Sequence, residues 1–291
     1  MTLFIWLRHT VVFALNFTWA GLYLKRVKRA DHMPRTKPLW LELHQQDWIP
    51  NFLKEIQLQE ISPILSFIRY DKTFLELFAE WQKHIKTKEF VDLGSGSGNM
   101  IRYLLESNNG HFSEVHFTLT DLYPQADIFK KLKSKFPENL DYVAEKVDLS
   151  DSISVYRNKG VTILTTFHEL SRSQADKTMV NLLQHSRGFL ILEPLNKSWK
   201  QAVKIPGIFL GAVIAPFKIK PRRFTNFLFS CFIPIVPFFH LHDAWVSFLR
   251  SYTKRDFQGM LEKFGNKNWS WIVDNIGNDI TYVMAWRKNE T

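Results

Sequence analysis

The chain has 291 residues, 45% of them hydrophobic and 15% aromatic, enough to bury a core in one large domain or two small ones. A formal charge of +10 points to an acidic partner (nucleic acid, anionic lipid or acidic metabolite) or to a solvated basic surface. The single cysteine, Cys231, excludes an intramolecular disulfide and fits a reducing compartment.

Residues 3–24 are strongly apolar, broken by Arg8, His9, Thr10, Asn16 and Thr18, and followed by Lys25, Arg26, Lys28 and Arg29. The length is near the roughly 20 residues of a membrane span, but Arg8 and Asn16 weaken that reading. Two readings stand: a helix lying on an anionic membrane face, or a helix packed on the domain. Residues 51–61 and 73–85 carry apolar side chains at helical spacing, so residues 1–86 read as a helical extension.

From residue 89 the pattern alternates. Strands are predicted at 89–93, 116–121, within 140–148, at 160–166 and at 188–193, with helices at 126–136 and 173–185 between them. Alternation of this kind predicts a parallel sheet covered on both faces. Residues 253–264 read as a helix, and 269–275 and 279–286 as a hairpin turning at Gly277-Asn278. Between these blocks, residues 195–252 form an apolar, proline-punctuated insertion with a basic run at Lys218, Lys220, Arg222 and Arg223. It reads as a substrate lid, as a surface dipping into lipid, or as ordinary core helices.

The sharpest local signal is Phe90-Val91-Asp92-Leu93-Gly94-Ser95-Gly96-Ser97-Gly98, an apolar strand breaking into alternating glycines before a helix. Glycine lets backbone approach a ligand where no Cβ fits. Asn99 stands where the dinucleotide fingerprint needs its third glycine, which argues against nicotinamide binding. Asp121 closes the second strand, where a carboxylate can accept ribose hydroxyls. Asp148 follows the third strand and reads either as a ligand contact or as a cap for the next turn.

The acidic-x-Gly-x-Gly-x-Gly loop, with Asp121, Asp148 and the terminal hairpin, resembles the class I S-adenosylmethionine-dependent methyltransferases. The resemblance implies an α/β, Rossmann-like seven-stranded sheet with an antiparallel C-terminal hairpin, here preceded by the helical extension. The methyltransferase domain would span residues 87–291. S-adenosylmethionine is then the implied cofactor, held by Asp92, Gly94, Ser95, Gly96, Gly98, Asp121, Leu122, Asp148, Leu149 and Thr166. Asp148 would take the adenine amino group, and Leu149 would lie against the ring. Residues 42–50 and 243–252 are also similar to two segments of a poorly characterised bacterial methyltransferase group. Gln45 replaces an acid of that pattern and Ala244 a glycine. That group implies a fold and a cofactor, and no substrate.

Methyl transfer needs a positioned nucleophile and, for a hydroxyl or protonated amine, a proton acceptor. In this fold the end of the fourth strand faces that place. His168 is the candidate base, since its ordinary pKa lies near neutrality, and Glu169 its candidate partner. Glu42, His44, Trp48, Glu193, Asp243, Ser247 and Arg250 are candidates for lining the acceptor cavity. His240 and His242 alternate beside Asp243, but two or three ligands are a minority of a site, and no metal is expected there.

No Asn-Pro-Pro or Asp-Pro-Pro follows the fourth strand, which disfavours amino methylation of DNA; Cys231, in an apolar run, is not placed as a nucleophile. The expected protein is a methyltransferase for a small lipophilic acceptor, cytoplasmic and attached to the inner membrane face, with nucleic acid an improbable partner. The alternatives are a non-catalytic membrane-associated protein of the same fold, and an NAD(P)-dependent oxidoreductase.

Overall fold

The computed structural model describes residues 42–46, 48–107, 112, 114–220 and 222–288, all within a compact unit of residues 37–291. The apolar segment 3–24 and its basic cluster lie outside the described residues.

Among the described residues two α-helices precede the sheet, α1 (Asn51–Ser66) and α2 (Tyr70–Gln82). Then follow β1 (Glu89–Leu93), α3 (Asn99–Glu106), β2 (His116–Thr120), α4 (Ala126–Lys135), β3 (Leu140–Tyr142), α5 (Ile153–Tyr156) and β4 (Gly160–Leu164). After α6 (Arg172–His185) and β5 (Gly188–Glu193) come α7 (Trp199–Lys204), α8 (Pro206–Lys218), α9 (Phe224–Phe227) and α10 (Ile235–Arg250). A π-helical turn at Leu228–Phe232 links α9 to the approach of α10. The chain closes with α11 (Lys254–Phe264), β6 (Trp269–Ile276) and β7 (Ile280–Arg287).

The seven strands run in the order β3-β2-β1-β4-β5-β7-β6. Strands β1 to β5 are mutually parallel, and β7 enters antiparallel to β5, with β6 antiparallel to β7 on the edge. This is the seven-stranded sheet with an antiparallel C-terminal hairpin expected from the sequence. The insertion that matched no element pattern proves to be helical. Residues 240–243 therefore sit on α10 and not on a strand, so His240 and His242 do not share a face. The third strand is short, ending at Tyr142 rather than running toward Asp148.

Alternate side chains of the parallel strands go to opposite faces, and both faces are buried. Val91, Leu93, Val161, Ile163, Phe189 and Ile191 meet Met179 and Leu182 of α6 and Phe257 and Met260 of α11. Phe90, Phe117, Leu119, Leu190 and Leu192 meet Tyr70, Phe74, Phe78 and Trp81 of α2 and Leu104 of α3. Local signals agree with this packing: Ser171 with Gln174 and Thr253 with Asp256 form capping boxes that start α6 and α11.

Trp81 Nε1 donates to the Ala285 carbonyl at 3.0 Å, and Tyr70 Oη donates to the Leu192 carbonyl at 2.6 Å, so α2 is bonded to the sheet as well as packed on it. Helices α1 and α10, with α8, make a separate apolar layer over the carboxyl edge, cored by Leu53, Ile56 and Val236 on one side and Leu241, Ile205 and Phe248 on the other.

Candidate functional site

The order of the sheet reverses between β1 and β4, and both strands end at the same edge. In open α/β sheets, that reversal at the carboxyl edge opens a crevice for ligands. Gly94, Gly96 and Gly98 all have left-handed backbone there, with φ of 75°, 55° and 67°. A Cβ on Gly94 would meet Thr166 Cγ2 at 2.5 Å, and one on Gly98 would meet Leu132 Cδ1 at 2.7 Å. A Cβ on Gly96 would meet nothing within 4 Å. Gly94 and Gly98 thus keep the loop tight, whereas Gly96 faces open space, as a loop meant to approach a ligand requires.

Around the loop, Ser95 Oγ donates to the Asp92 carbonyl at 2.9 Å, and the Gly96 amide donates to Asp121 Oδ2 at 2.7 Å. Asp121 Oδ1 accepts the Tyr123 amide at 2.8 Å, which fixes the carboxylate at the tip of β2. Leu122 and Tyr123 beside it are exposed. Thr166 Oγ1 donates to the Gly94 and Leu164 carbonyls. Asp92 is wholly buried and takes the Thr162 hydroxyl at 2.6 Å. Burial, reinforced by the Asp121 charge and only partly offset by hydrogen bonds from Thr162 and Ser95, pushes its carboxyl up to about 6.

Asp148 Oδ1 accepts both the Ser150 amide and hydroxyl at 2.7 Å, the turn-capping role that the sequence left open. Leu149 is buried in the core. The exposed Tyr123 was not singled out from sequence, because an aromatic after the second strand carries no spacing signature of its own.

The second half of the site gathers side chains from four elements. After β4 the chain turns through Thr165, which holds a φ of 61° although it is β-branched, and enters a 3-10 turn at Phe167–Glu169. Glu193, at the end of β5, accepts the Phe167 amide at 2.7 Å through Oε1 and binds His168 Nδ1 at 2.6 Å through Oε2. His168 Nε2 lies 3.5 Å from Glu42 Oε1, and Ser247 of α10 donates to that same oxygen at 2.7 Å. Asp243 accepts the Leu43 amide at 2.6 Å, Gln57 Nε2 at 2.8 Å and His242 Nδ1 at 2.9 Å. Arg250 Nη2 donates to the Glu169 carbonyl.

Their charges are strongly coupled. Burial opposes protonation of His168, but the Glu193 and Glu42 carboxylates outweigh it and hold the imidazole well above its ordinary range. Burial also works against Glu42, yet the bond and charge of His168 keep its carboxyl below the usual value. Burial and the Glu42 charge push Glu169 up to about 7. Against its own burial, Asp243 is held well below the carboxylate range by His242, His44 and the Leu43 amide.

His168, Glu169, Glu42, His44, Glu193, Asp243, Ser247 and Arg250, separated by up to about two hundred positions, therefore converge. Trp48 is exposed. Gln57 and Tyr70 escaped sequence reading. Each sits in a helical stripe where a polar group looks like ordinary surface or core, and only packing against α10 and β5 reveals its partner.

No protein-family model and no curated protein matches the chain. Among solved structures, it is similar to an O-methyltransferase family protein from Burkholderia thailandensis, at 12% identity over 78% of this chain and 59% of that one, with a TM-score of 0.47. It is likewise similar to a putative O-methyltransferase from Nostoc punctiforme, at 9% identity, 75% and 55% coverage, and a TM-score of 0.46. A small RNA methyltransferase aligns at 14% identity over 76% of this chain and 25% of that one, with a TM-score of 0.48. The chain thus spans between a quarter and about three-fifths of these proteins' lengths. The strand order and the antiparallel terminal hairpin are those that the resemblance to class I methyltransferases implies.

Proposed function

We propose that the protein is an S-adenosylmethionine-dependent methyltransferase acting on a small lipophilic acceptor at a membrane surface. The observation that carries the donor assignment is the loop of three left-handed glycines between Asp92 and α3, with Asp121 bonded across it. Asp121 is suited to the ribose hydroxyls, Leu122 and Tyr123 to the adenine face, and Asp92 to the cationic methionine end. These roles match chemistry to position: a carboxylate accepts two hydroxyl donors, and an aromatic ring stacks on a base.

The acceptor would lie between Gly94 and the His168 cluster. Methyl transfer to an oxygen or a protonated nitrogen releases a proton. His168, held as imidazolium by Glu193 and Glu42, is suited to orient the carboxylates around it and to hand the proton between them. Glu169, near neutrality, has the pKa a proton acceptor needs.

The lipophilic and membrane part of the reading is supported by the outer face of the helical layer. Leu210, Ile214, Phe217, Phe224, Phe232 and Ile233 are all exposed there. Exposed Lys218, Lys220, Arg222 and Arg223 border them, a combination suited to anionic headgroups above an apolar contact. Among the described residues no single helix is long and apolar enough to cross a membrane, and the pair Phe224–Phe232 and Ile235–Arg250, which passes by length and composition together, is bent by 71° between its halves.

Equilibrium binding tests the donor assignment. S-adenosylmethionine should bind the wild-type protein, and Asp121→Ala should weaken it by about tenfold or more, the scale of losing a charged hydrogen-bond acceptor worth ~1.5–3 kcal/mol. Binding of NAD(P) alone would overturn the assignment. Transfer of labelled methyl to a component of a lipid extract tests the acceptor class.

A further inference from the structure

The cluster at the acceptor end is richer in metal-type donors than proton transfer requires. Glu42, His44 and Glu169 each present a donor atom, and the three atoms lie within 4.8 Å of one another. Glu42 and His44 come from the 3-10 turn at Leu43–Gln45 and the residue before it, whereas Glu169 comes from the turn after β4.

A second observation concerns how these donors are held. Asp243 accepts the backbone amides of both Leu43 and His44, so the segment carrying two of the three donors is pinned by one carboxylate. The same carboxylate lies 3.3 Å from His44 Nδ1, and Glu193 grips His168 Nδ1 next door. Such carboxylates fix the orientation of the ring and of the segment that carries it. His44 Nδ1 is also 3.3 Å from Glu42 Oε2, longer than the roughly 2.7–2.9 Å of a good charge-assisted bond. The pair is close without being closed. The His44 side chain is 31% exposed, so an ion has a route in.

We infer that Glu42, His44 and Glu169 form a binding site for a divalent transition-metal ion, of the manganese or zinc type. A cation about 2.1 Å from each donor needs the donors within about 4.2 Å of one another, an adjustment of rotamer size from the present arrangement. Two carboxylates and one imidazole suit these ions better than calcium, which prefers an all-oxygen shell. Three protein donors leave coordination positions open. On the methyltransferase reading, a position left open by Glu42, His44 and Glu169 would be free to take the acceptor oxygen; the binding of the ion itself does not depend on that reading.

The test uses the full chain stripped with chelator, titrated with manganese or zinc ions by calorimetry, and by electron paramagnetic resonance for manganese. One ion per chain is expected at this site. Affinity should fall about 10–100-fold or more in His44→Ala and Glu169→Gln, and about tenfold in Asp243→Asn, which removes only an orienting group. Circular dichroism on the same samples certifies that all three variants fold, and S-adenosylmethionine binding should persist in them. A wild-type protein that takes up neither ion, or folded His44→Ala and Glu169→Gln variants that bind as the wild type does, overturns the site. Ion binding without S-adenosylmethionine binding overturns the donor assignment and leaves the metal site standing.

Discussion

Asp92 concentrates a conflict that a single residue resolves. It is fully buried, hydrogen-bonded to Thr162 and pushed up to about 6 from an ordinary 3.8. A carboxyl with a raised folded-state pKa favours the folded protein when protonated. Its contribution is fully present below the ordinary value and is lost as pH rises toward about 6. Over that window the loss is on the order of 3 kcal/mol, from about two pKa steps of ~1.4 kcal/mol each. Asp92→Asn keeps the oxygen that accepts from Thr162 and removes the charge. Urea unfolding of both proteins from pH 4 to 7 should therefore diverge in favour of the variant as pH increases; parallel stability profiles would show that Asp92 does not carry the burden. On the proposed donor assignment, the cationic methionine end of the ligand would make use of that charge.

At the scale of elements, α2 and the end of β4 depend on one another. Tyr70 is fully buried, donates to the Leu192 carbonyl and accepts from Thr165 Oγ1 at 2.9 Å. Thr165 is the strained residue that turns the chain toward His168. Tyr70→Phe preserves the ring packing but leaves a carbonyl and a hydroxyl without that partner, so stability should fall by about 1–3 kcal/mol. A chemical-denaturation midpoint equal to the wild type would show that the bond contributes nothing.

The sequence made α2 legible as a helix through its apolar spacing at Phe74, Phe78 and Trp81. It could not reveal the Tyr70 bond, because the partner is a backbone carbonyl 122 residues away on a strand that is apolar up to its last residue, Glu193. The same holds for α10. His240, Asp243, Ser247 and Arg250 fall at helical spacing, yet proline and aromatic punctuation hid the helix, and only its docking on α1 and the two 3-10 turns shows what that polar stripe meets.

Over the whole molecule, the apolar helices after β5 give the protein two unlike surfaces. Lys218 Nζ lies 3.7 Å from the centre of the exposed Phe67 ring, so basic and apolar groups are interleaved at the rim of the apolar face. The full-length protein should sediment with vesicles containing anionic lipid more than with zwitterionic vesicles, and less so as salt increases. Phe224→Ser combined with Phe232→Ser should reduce that binding while leaving S-adenosylmethionine binding intact. Unchanged sedimentation of the double variant would remove this face from the account and direct attention to residues 1–30.

By itself, the sequence determined what depends on local physics. Two-residue and 3.6-residue periodicity marked the strands and flanking helices, and alternating glycines after an acidic strand end marked the donor loop, because backbone conformation and side-chain direction are set within a few residues. Tertiary structure decided the rest. Which carboxylates share His168 depends on groups distant in the chain, Glu42 and Glu193. A buried charge takes its properties from whatever packs around it, and that neighbourhood comes into existence only when the sheet edge, the 3-10 turns and α10 close on one another.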